Sequence, residues 1–347
     1  MIKNVLSKLT RNQNLSQPEI FELIGGIGKD EITEVQIAGF LVGLLMKGPT
    51  VEEVSYIAKA MRANCKQIHP KVEGRLIDMC GTGGGLTTFN VSTANTILTA
   101  AAGIPVAKHG SRSISSSSGS ADALEALGVQ IDLTPEQGEK LIEEIGIGFL
   151  YAPNFHPVML KVLGPEDQLG IKTIFFTIIG PLINPADAKC HLLGVYQPEL
   201  VPMAADILVE LDFTHAMVVH GLDGLDEISI LGKTSVAEVK QGKVNKYEIE
   251  PEDFDLKRCS IEDVAGGDPQ YNADTIRNLY AGKDEGPHRD FLILNNGAAL
   301  YIGGLTDSLE EGIKKAKENL ASGTATRKLE EFIERSNAVK SEGQTVG

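Results

Sequence analysis

Apolar residues recur with a helical period through the first 70 residues of the chain. A capping box at Ser16–Glu19, with a proline in its first turn, precedes the apolar positions Leu23 and Ile24. Thr33 and a second capping box at Thr50–Glu53 open two more segments of this kind. The pattern predicts an all-helical start, which is either a small separate lobe or an interaction surface.

From Arg75 onward, short apolar runs alternate with stretches of helical composition. A strand, a glycine loop, a helix and a further strand predict a parallel βαβ unit, after which the alternation continues. Helices are predicted at residues 92–102 and 198–211, after Thr134 and, as the final helix, after Ser308. Strands are predicted at residues 76–80, 104–107, 147–151, 192–196, 216–220 and 291–294, with a hairpin of residues 236–239 and 244–249.

Residues 157–185 interrupt this alternation, and their apolar stretch 171–183 contains Gly180-Pro181. The segment is predicted to form helices that return to the N-terminal helices. Beyond Ser341 the chain is expected to fray at its end.

Composition and net charge narrow the classes of function. The 347 residues suffice for one large domain or two smaller ones, and the net charge is −15. This charge argues against a surface for nucleic acid or anionic membranes, which needs clustered Lys and Arg. The four cysteines lack zinc-site or CxxC spacing, the N-terminus lacks an apolar signal region, and no segment resembles a membrane helix. A cytoplasmic protein is expected.

A glycine-rich loop follows the first predicted strand. Gly81–Gly85 contains four glycines in five residues, and the polar run Asn90–Thr93 opens the next helix. Backbone N–H groups of such a loop, together with the positive end of a helix, form an anion site. The loop lacks the GK[ST] ending of a Walker A sequence and does not match GxGxxG. A phosphate-binding loop is favoured over an ordinary tight turn.

A second polar segment follows the next strand of the same βαβ unit. It contains Lys108, Arg112, four consecutive serines and Gly119-Ser120. Loops at the carboxyl ends of neighbouring parallel strands converge, so this segment is expected beside the first glycine loop. A lysine, an arginine and many hydroxyls suit a polyphosphate better than they suit a flexible serine loop.

Adjacent carboxylates mark a third segment. Asp226 and Glu227 follow the strand predicted at residues 216–220. Such a pair at a strand end can hold Mg²⁺, which keeps several waters and bridges substrate phosphates. Taken alone, the pair is equally consistent with a solvated acidic turn. Its expected position beside two phosphate loops favours a magnesium site.

Six segments in this order resemble the anthranilate phosphoribosyltransferase family, from near Leu6 to about Leu320. They are Gly81-Thr-Gly-Gly84, Asn90-Val-Ser-Thr93, Lys108-His-Gly110, Ser115 to Ser120, Gly180-Pro181-Leu182 with Asn184-Pro185, and Asp223-Gly-Leu-Asp-Glu227. The resemblance implies an α/β fold of the kind shared with nucleoside phosphorylases, with a small N-terminal helical lobe and a larger lobe around a mostly parallel sheet. The helical lobe would comprise residues 1–72, joined by about 165–187, and the α/β lobe residues 73–164 and 188–347.

The resemblance also implies an activity, which is transfer of the phosphoribosyl group of 5-phosphoribosyl 1-diphosphate to the amine of anthranilate in tryptophan biosynthesis. Magnesium, held by Ser92, Asp226 and Glu227, would be the cofactor, and the enzyme would be a homodimer. No covalent nucleophile is implied, and Lys108 would stabilise the leaving group. The diphosphate-sugar would contact Gly81, Gly84, Thr88, Asn90, Val91, Ser92, Thr93, Lys108, His109, Gly110, Ser115, Ser116 and Ser120. The acceptor would contact Gly81, His109, Ser111 and the residue at position 166, which is Glu166 in this chain.

Three positions near the expected acceptor site depart from the family pattern. The glycine loop is one residue shorter and has Gly85 where the family has an aspartate, and Ser111 replaces an asparagine. Glu166 stands where the family has an arginine that meets the anthranilate carboxylate, so the charge is reversed. Either another cation such as Lys172 or Lys161 takes that role, or the acceptor lacks a carboxylate.

Two other classes of function remain open at this stage. One is a phosphoribosyltransferase, or an enzyme similar to nucleoside phosphorylases, with a different acceptor that has no carboxylate. The other is a non-catalytic relative that binds nucleic acid, although the net charge of −15 and the Asp226–Glu227 pair argue against it. A purely structural protein would leave the clustered anion loops unexplained.

Overall fold

The computed structural model describes residues 1–113 and 117–344. Its N-terminal part is helical, as predicted, and each helix after the first begins at a capping box. The backbone N–H of Ser16 donates to the Glu19 carboxylate at 2.9 Å, and that of Thr50 donates to Glu53 at 2.9 Å. The four helices are α1 (Ile2–Leu9), α2 (Gln17–Gly28), α3 (Glu34–Lys47) and α4 (Val51–Ala63).

A seven-stranded sheet with the order β3-β2-β1-β4-β5-β6-β7 forms the centre of the larger part. The first five strands in this order are parallel, and the last two form an antiparallel hairpin on β5. This confirms the predicted α/β fold with a mostly parallel sheet. The strands are β1 (Ile77–Gly81), β2 (Val106–Gly110), β3 (Ile147–Tyr151), β4 (Cys190–Gly194), β5 (His215–Gly221), β6 (Thr234–Lys240) and β7 (Lys243–Ile249).

Helices connect the strands and follow the hairpin. Most begin at a proline or at a threonine, serine or aspartate cap, the residue types that favour the first helical turn. A π-helical turn (Phe175–Ile179) and two 3₁₀ turns (Pro251–Phe254 and Ile261–Val264) are shorter. The α-helices are α5 (Val91–Ala101), α6 (Ser120–Ala126), α7 (Pro135–Ile145), α8 (Ala152–Phe155), α9 (Pro157–Leu169), α10 (Gly180–Leu182), α11 (Leu200–Glu210), α12 (Pro269–Tyr280), α13 (Pro287–Ile302), α14 (Leu309–Ala321) and α15 (Thr324–Gln344).

Two sequence predictions about the C-terminal region are wrong. Residues 291–294 form no strand and lie inside α13, because the helix is buried on every side and its apolar run therefore shows no helical period. The helix after Ser308 is also not the last one. It ends at Ala321, and a glycine at position 323 with φ of 71° allows the turn into α15.

In the described part of the chain, two large hydrophobic cores and one smaller cluster pack against the faces of the sheet. One packs α5, α13 and α14 with the helices around them against β1, β2 and β3. The other joins α1–α4 with α9, α10 and α11 and reaches β4, β5 and β6. Helix α9 packs against α2 and α3, so the segment after residue 156 returns to the N-terminal helices. The boundaries between the two lobes stay a prediction.

Within residues 1–113 and 117–344, the helices are too short or too polar to cross a membrane.

Candidate active site

A cavity of about 530 Å³ lies at the carboxyl ends of β1 and β2, and the acidic turn after β5 reaches it across the end of β4. From β1 the chain moves outward through β2 and β3, and it then returns to the other side of β1 as β4. Ligands of open α/β sheets bind in the crevice at such a reversal of strand order. The predicted site residues that line the cavity are Gly81, Gly84, Thr88, Asn90, Val91, Ser92, His109, Gly110, Ser111, Ser120, Asp226 and Glu227.

The remaining predicted site residues do not line this cavity in the described part of the chain. Thr93 is fully buried in α5, and Lys108 is fully buried in β2. Glu166 is buried in α9. The predicted phosphate contacts Ser115 and Ser116 lie outside the described residues.

Two glycines make room for the acidic turn. Gly81 at the end of β1 pairs with Gly194 at the end of β4. A Cβ atom on Gly81 would lie 2.2 Å from Oδ2 of Asp226, and one on Gly194 would lie 1.6 Å from the Asp226 carbonyl oxygen. The turn therefore rests directly on the backbone of two neighbouring strands. Gly194 was not singled out in the sequence, because its partner lies 32 residues further along the chain.

The glycine loop also contacts this turn. The backbone N–H of Gly83 donates to Asp226 Oδ2 at 2.7 Å, and that of Leu86 donates to the Gly224 carbonyl at 3.2 Å. A Cβ on Gly85 would lie 2.5 Å from the same Gly224 oxygen. The shorter loop of this chain is thus packed closely against the acidic turn, and glycine is needed for that approach.

Asp223 holds the turn and does not line the cavity. Its carboxylate accepts hydrogen bonds from Ser229 Oγ at 2.5 Å and from the Leu225 N–H at 3.2 Å. The other two carboxylates of the segment, Asp226 and Glu227, face the cavity. The acidic segment therefore combines one structural carboxylate with two that are available to a ligand.

Burial places Asp226 and Glu227 in an environment that favours a cation. It raises the pKa of Asp226, although the hydrogen bond from Gly83 opposes this effect. Burial and the neighbouring Asp226 raise the pKa of Glu227 to about 8, against the opposing charge of Lys108. The described residues bring no third Asp, Glu, His or Cys to this pair. Two buried carboxylates and a nearby serine hydroxyl suit Mg²⁺, which takes its other ligands from water and phosphate.

Helix α5 presents its N-terminal end to the cavity. Ser92 lines the cavity in its first turn, and the buried ammonium of Lys108 donates to Ser92 Oγ at 3.4 Å and to the Met79 carbonyl at 2.8 Å. Burial lowers the pKa of Lys108, and Cys80, Asp78 and Glu227 oppose this shift. The lysine thus lies behind the helix terminus, and its charge adds to the positive potential that α5 offers an anion.

Asn90 ties this helix to the serine segment. Its Nδ2 donates to the Ser118 carbonyl at 3.1 Å, and its Oδ1 accepts from Ser118 Oγ at 3.0 Å and from Asn272 Nδ2 at 2.8 Å. Asn272 in α12 has no sequence signal that would connect it with the loops. Arg112 lines the cavity as well, but its guanidinium forms ion pairs with Asp122 and Glu125.

Asn184, in the Asn184-Pro185 segment of the family resemblance, has a structural role. Asn184 Nδ2 donates to Asp78 Oδ2 at 2.7 Å and to the Ala107 carbonyl at 2.8 Å. Asp78 Oδ1 in turn accepts from the His109 N–H at 3.2 Å. This buried network fixes β1, β2 and the chain that leaves α10, and it thereby holds the wall of the cavity.

The opposite end of the cavity is apolar around two histidines. The rings of His109 and His156 meet edge to face with centroids 4.9 Å apart. Burial lowers the pKa of His109 to about 4, opposed chiefly by Asp78, and burial with the neighbouring His109 also lowers the pKa of His156. Both rings are neutral at pH 7 as a result. The apolar side chains at this end are Met159, Leu160, Leu163, Phe175, Pro181 and Ile183.

The charge reversal at Glu166 does not face the cavity. Its Oε1 accepts the Thr173 N–H at 2.5 Å, and the residue is only 3 % exposed. Lys161 points outward and pairs with Asp30 at 2.7 Å. Lys172 does line the cavity, with its ammonium 3.8 Å from the position that a Cβ on Gly84 would occupy.

Two family models match the chain. The model described as "Glycosyl transferase family, a/b domain" matches residues 73–326, and the one described as "Glycosyl transferase family, helical bundle domain" matches residues 3–65. Together they span the helical start and the sheet with its surrounding helices.

Similarity to individual proteins extends over the whole chain. An anthranilate phosphoribosyltransferase of Acetivibrio thermocellus is 48 % identical, and the match covers 100 % of both chains. The crystal structure of anthranilate phosphoribosyltransferase from Thermus thermophilus is 39 % identical with a TM-score of 0.90, covering 96 % of this chain and 99 % of that one. The Saccharomyces cerevisiae enzyme in complex with PRPP and Mg is 28 % identical with a TM-score of 0.88, covering 97 % and 98 %. The chain therefore belongs to the anthranilate phosphoribosyltransferase family.

Proposed function

We propose that this chain transfers the phosphoribosyl group of 5-phosphoribosyl 1-diphosphate to the amine of anthranilate and releases pyrophosphate, a step of tryptophan biosynthesis. One observation carries the proposal. The glycine loop, the N-terminal end of α5 and the Asp226–Glu227 pair converge on one cavity at the switch of strand order. This arrangement combines hydrogen-bond donors for phosphate oxygens with ligands for Mg²⁺. The choice of anthranilate as the acceptor rests on the similarity to full-length anthranilate phosphoribosyltransferases.

The donor half of the cavity would bind the diphosphate-sugar by charge and by backbone N–H groups. Ser92, Asp226 and Glu227 would hold Mg²⁺, which when bound neutralises the charge that develops on the leaving pyrophosphate. The positive end of α5, with the Lys108 ammonium behind Ser92, contributes to the same stabilisation. Since these groups are already in place before reaction, little reorganisation is needed in the transition state.

The acceptor half would hold an aromatic amine. Its apolar wall can cover the ring, and the amine nitrogen then attacks C1 of the ribose while the C1–oxygen bond to pyrophosphate breaks. After the new carbon–nitrogen bond forms, the cationic nitrogen loses a proton to water, and pyrophosphate leaves with the electron pair of the broken C1–oxygen bond. No Ser–His–Asp arrangement is required, because the acceptor amine is itself the nucleophile and the ribose carries a good leaving group.

The activity is tested by loss of anthranilate fluorescence with 5-phosphoribosyl 1-diphosphate and Mg²⁺ present. A rate that depends on Mg²⁺ is expected. Absence of a rate, with binding of the diphosphate-sugar still detected by calorimetry, would contradict anthranilate as the acceptor. It would favour the alternative acceptor without a carboxylate, which a panel of amines and bases then identifies through the products.

We further propose that Lys172 meets the acceptor carboxylate in place of the family arginine. Lys172 lines the cavity, and its ammonium lies 3.8 Å from the position that a Cβ on Gly84 would occupy, so its positive charge is close to the glycine loop. Lys172→Met is expected to raise the KM for anthranilate about tenfold or more, because a hydrogen bond to a charged group is lost. Steady-state kinetics with each substrate varied in turn measure this effect.

Lys161→Met is the matched control for this experiment, since Lys161 pairs with Asp30 outside the cavity. Its kinetics should stay within about twofold of the unaltered protein. An unchanged anthranilate KM in Lys172→Met, or a rise confined to the diphosphate-sugar KM, would contradict the assignment of Lys172 to the acceptor.

We also propose that the protein is a homodimer through its N-terminal helices and that it is cytoplasmic. Helix α3 exposes an apolar face, on which Val35 is 81 % and Met46 is 80 % exposed. These residues and Val42 between them recur at helical spacing on one side. Exposed apolar faces of this kind mark protein interfaces.

The double variant Val35→Glu/Met46→Glu is expected to be a monomer, because like charges and desolvated carboxylates would meet at the two-fold axis. Light scattering after size exclusion measures its mass. Leu305→Glu, at an exposed apolar residue of the other lobe, is the control and should leave the dimer unchanged. A monomeric unaltered protein would overturn the proposed assembly.

A further inference from the structure

The acidic turn is held from behind by a buried asparagine of α13. Asn295 is fully buried, and its side chain pairs with both backbone groups of Ile228. The Ile228 N–H donates to Asn295 Oδ1 at 3.0 Å, and Asn295 Nδ2 donates to the Ile228 carbonyl at 3.0 Å. Ile228 directly follows Glu227, so this pair of hydrogen bonds fixes the backbone next to the second carboxylate of the cavity.

The same residue is tied to the phosphate-facing helix. Asn95 of α5 donates from its Nδ2 to the Asn295 carbonyl at 3.1 Å. The neighbouring Asn296 donates to Asn95 Oδ1 at 2.9 Å and to Thr99 Oγ1 at 2.9 Å. The three asparagines and Thr99 are all at most 1 % exposed. Helix α5 and the acidic turn are therefore both hydrogen-bonded to one buried position of α13.

The support for this position is rigid. Gly297, one half-turn further along α13, packs on Gly312 of α14 so closely that a Cβ on Gly312 would lie 2.2 Å from the Gly297 carbonyl oxygen. Side chains on packed helices hold a ligand geometry more narrowly than side chains on loops do. Asn295 thus projects from a clamped helix and not from a movable segment.

We propose that Asn295 is a positioning residue that sets the distance between Glu227 and the N-terminal end of α5. A divalent cation held by the acidic turn can bind a diphosphate at α5 only if the two sites lie at the right distance and orientation. Residues that hydrogen-bond to the segment carrying the metal ligands fix this distance and orientation. The role rests on the proposed function, because it presupposes that a metal diphosphate is the ligand. It is independent of which acceptor the enzyme uses.

Asn319 is a matched control for Asn295, because it is a buried asparagine whose role is expected to be structural only. Its Nδ2 donates to the Leu98 carbonyl in the C-terminal half of α5 at 2.8 Å. The hydrogen bonds of its side chain within the described residues go to Leu98 and Thr324 and not to the acidic turn, and neither asparagine lines the cavity. Replacing Asn319 removes a buried side-chain hydrogen bond to α5, whereas replacing Asn295 removes the two hydrogen bonds to Ile228, the residue after Glu227.

The test compares Asn295→Ala with Asn319→Ala in the full-length enzyme. The measured quantity is the Mg²⁺ concentration for half-maximal rate at saturating 5-phosphoribosyl 1-diphosphate and anthranilate. In Asn295→Ala it is expected to rise about 10- to 100-fold, the usual range for loss of a partner behind a metal ligand. In Asn319→Ala it should stay within about twofold, while thermal unfolding is expected to show that both variants are less stable than the unaltered enzyme.

Equal Mg²⁺ requirements in Asn295→Ala and the unaltered enzyme would overturn the proposal, as would an equal rise in both variants. Asn295→Ser replaces Asn295→Ala if the alanine variant does not fold, and the same outcomes apply to it. If the unaltered protein does not consume anthranilate, the proposed function fails on its own. Calorimetry of 5-phosphoribosyl 1-diphosphate binding at stepped Mg²⁺ concentrations then gives the same comparison of the variants.

Discussion

Replacing Asp226 and Glu227 together with alanine is expected to lower turnover by about 10³-fold or more. Both carboxylates line the cavity, and burial raises the pKa of each, so a bound cation would favour their ionised forms. Without them, Mg²⁺ would have to rely on Ser92, water and substrate phosphates alone, and stabilisation of the leaving charge would largely be lost. The assay is the Mg²⁺-dependent loss of anthranilate fluorescence.

The same double variant is expected to unfold at a temperature equal to or above that of the unaltered protein. Two adjacent buried carboxylates without a cation repel each other and lose hydration, so their removal relieves a cost of folding. Loss of activity with a retained unfolding temperature would thus separate a catalytic effect from a folding defect. Asp206→Ala/Glu210→Ala removes one Asp and one Glu from the exposed side of α11 and should keep both properties. Undiminished turnover in the Asp226 and Glu227 variant would contradict the metal assignment.

The spatial proximity of the three candidate segments could be predicted because the topology of a parallel sheet determines it. Gly81–Gly85, Lys108–Ser111 and Asp226–Glu227 lie at or just after the ends of three parallel strands, and the carboxyl ends of such strands face one side. Short-range patterns identify each strand and its loop, so the fold class and the location of the cavity needed no knowledge of distant contacts. The prediction for residues 291–294 was wrong for the converse reason, since a fully buried helix loses its periodic signal.

Contacts between distant segments could not be predicted from one sequence. Lys108 was expected at the surface of the cavity and instead lies behind Ser92, because its strand points the side chain into the interior below α5. Asn272 and Asn295 come from helices more than 180 residues after the α5 residues that they contact. Neither asparagine stands in a pattern that would mark it as part of a site.

The position of the family arginine illustrates a further limit. The sequence shows that Glu166 reverses the charge there, and it suggests a carboxylate facing the acceptor. In the structure the Glu166 side chain accepts a hydrogen bond from the Thr173 N–H in the segment after α9. The charge reversal therefore affects this local contact and does not change the charge that lines the cavity. The alternatives for the acceptor therefore turn on Lys172, which lines the cavity, and no longer on Glu166.

Gly194→Ala is expected to lower turnover by about 10²-fold or more and also to destabilise the protein. The new Cβ would lie 1.6 Å from the Asp226 carbonyl oxygen and 2.4 Å from its carbon, and both are backbone atoms that cannot rotate away. Strand β4 is hydrogen-bonded on both sides, by β1 and β5, so the acidic turn must move instead. A displacement near 1 Å of groups that bind the reacting diphosphate is enough for a loss of this size.

Gly148→Ala on β3 is the matched control for this prediction. Its Cβ would meet Cγ1 of Ile142 at 2.6 Å, a side-chain atom of α7, and Gly148 does not line the cavity. This variant should unfold at a lower temperature because of overpacking, while its folded fraction keeps the kcat and the Mg²⁺ requirement of the unaltered enzyme. A Gly194→Ala enzyme that is equally destabilised but fully active would show that the turn can shift without consequence. A higher Mg²⁺ requirement in Gly194→Ala but not in Gly148→Ala would instead tie catalysis to the close contact between β4 and Asp226, because of these two substitutions only the first displaces the carboxylates proposed to bind Mg²⁺.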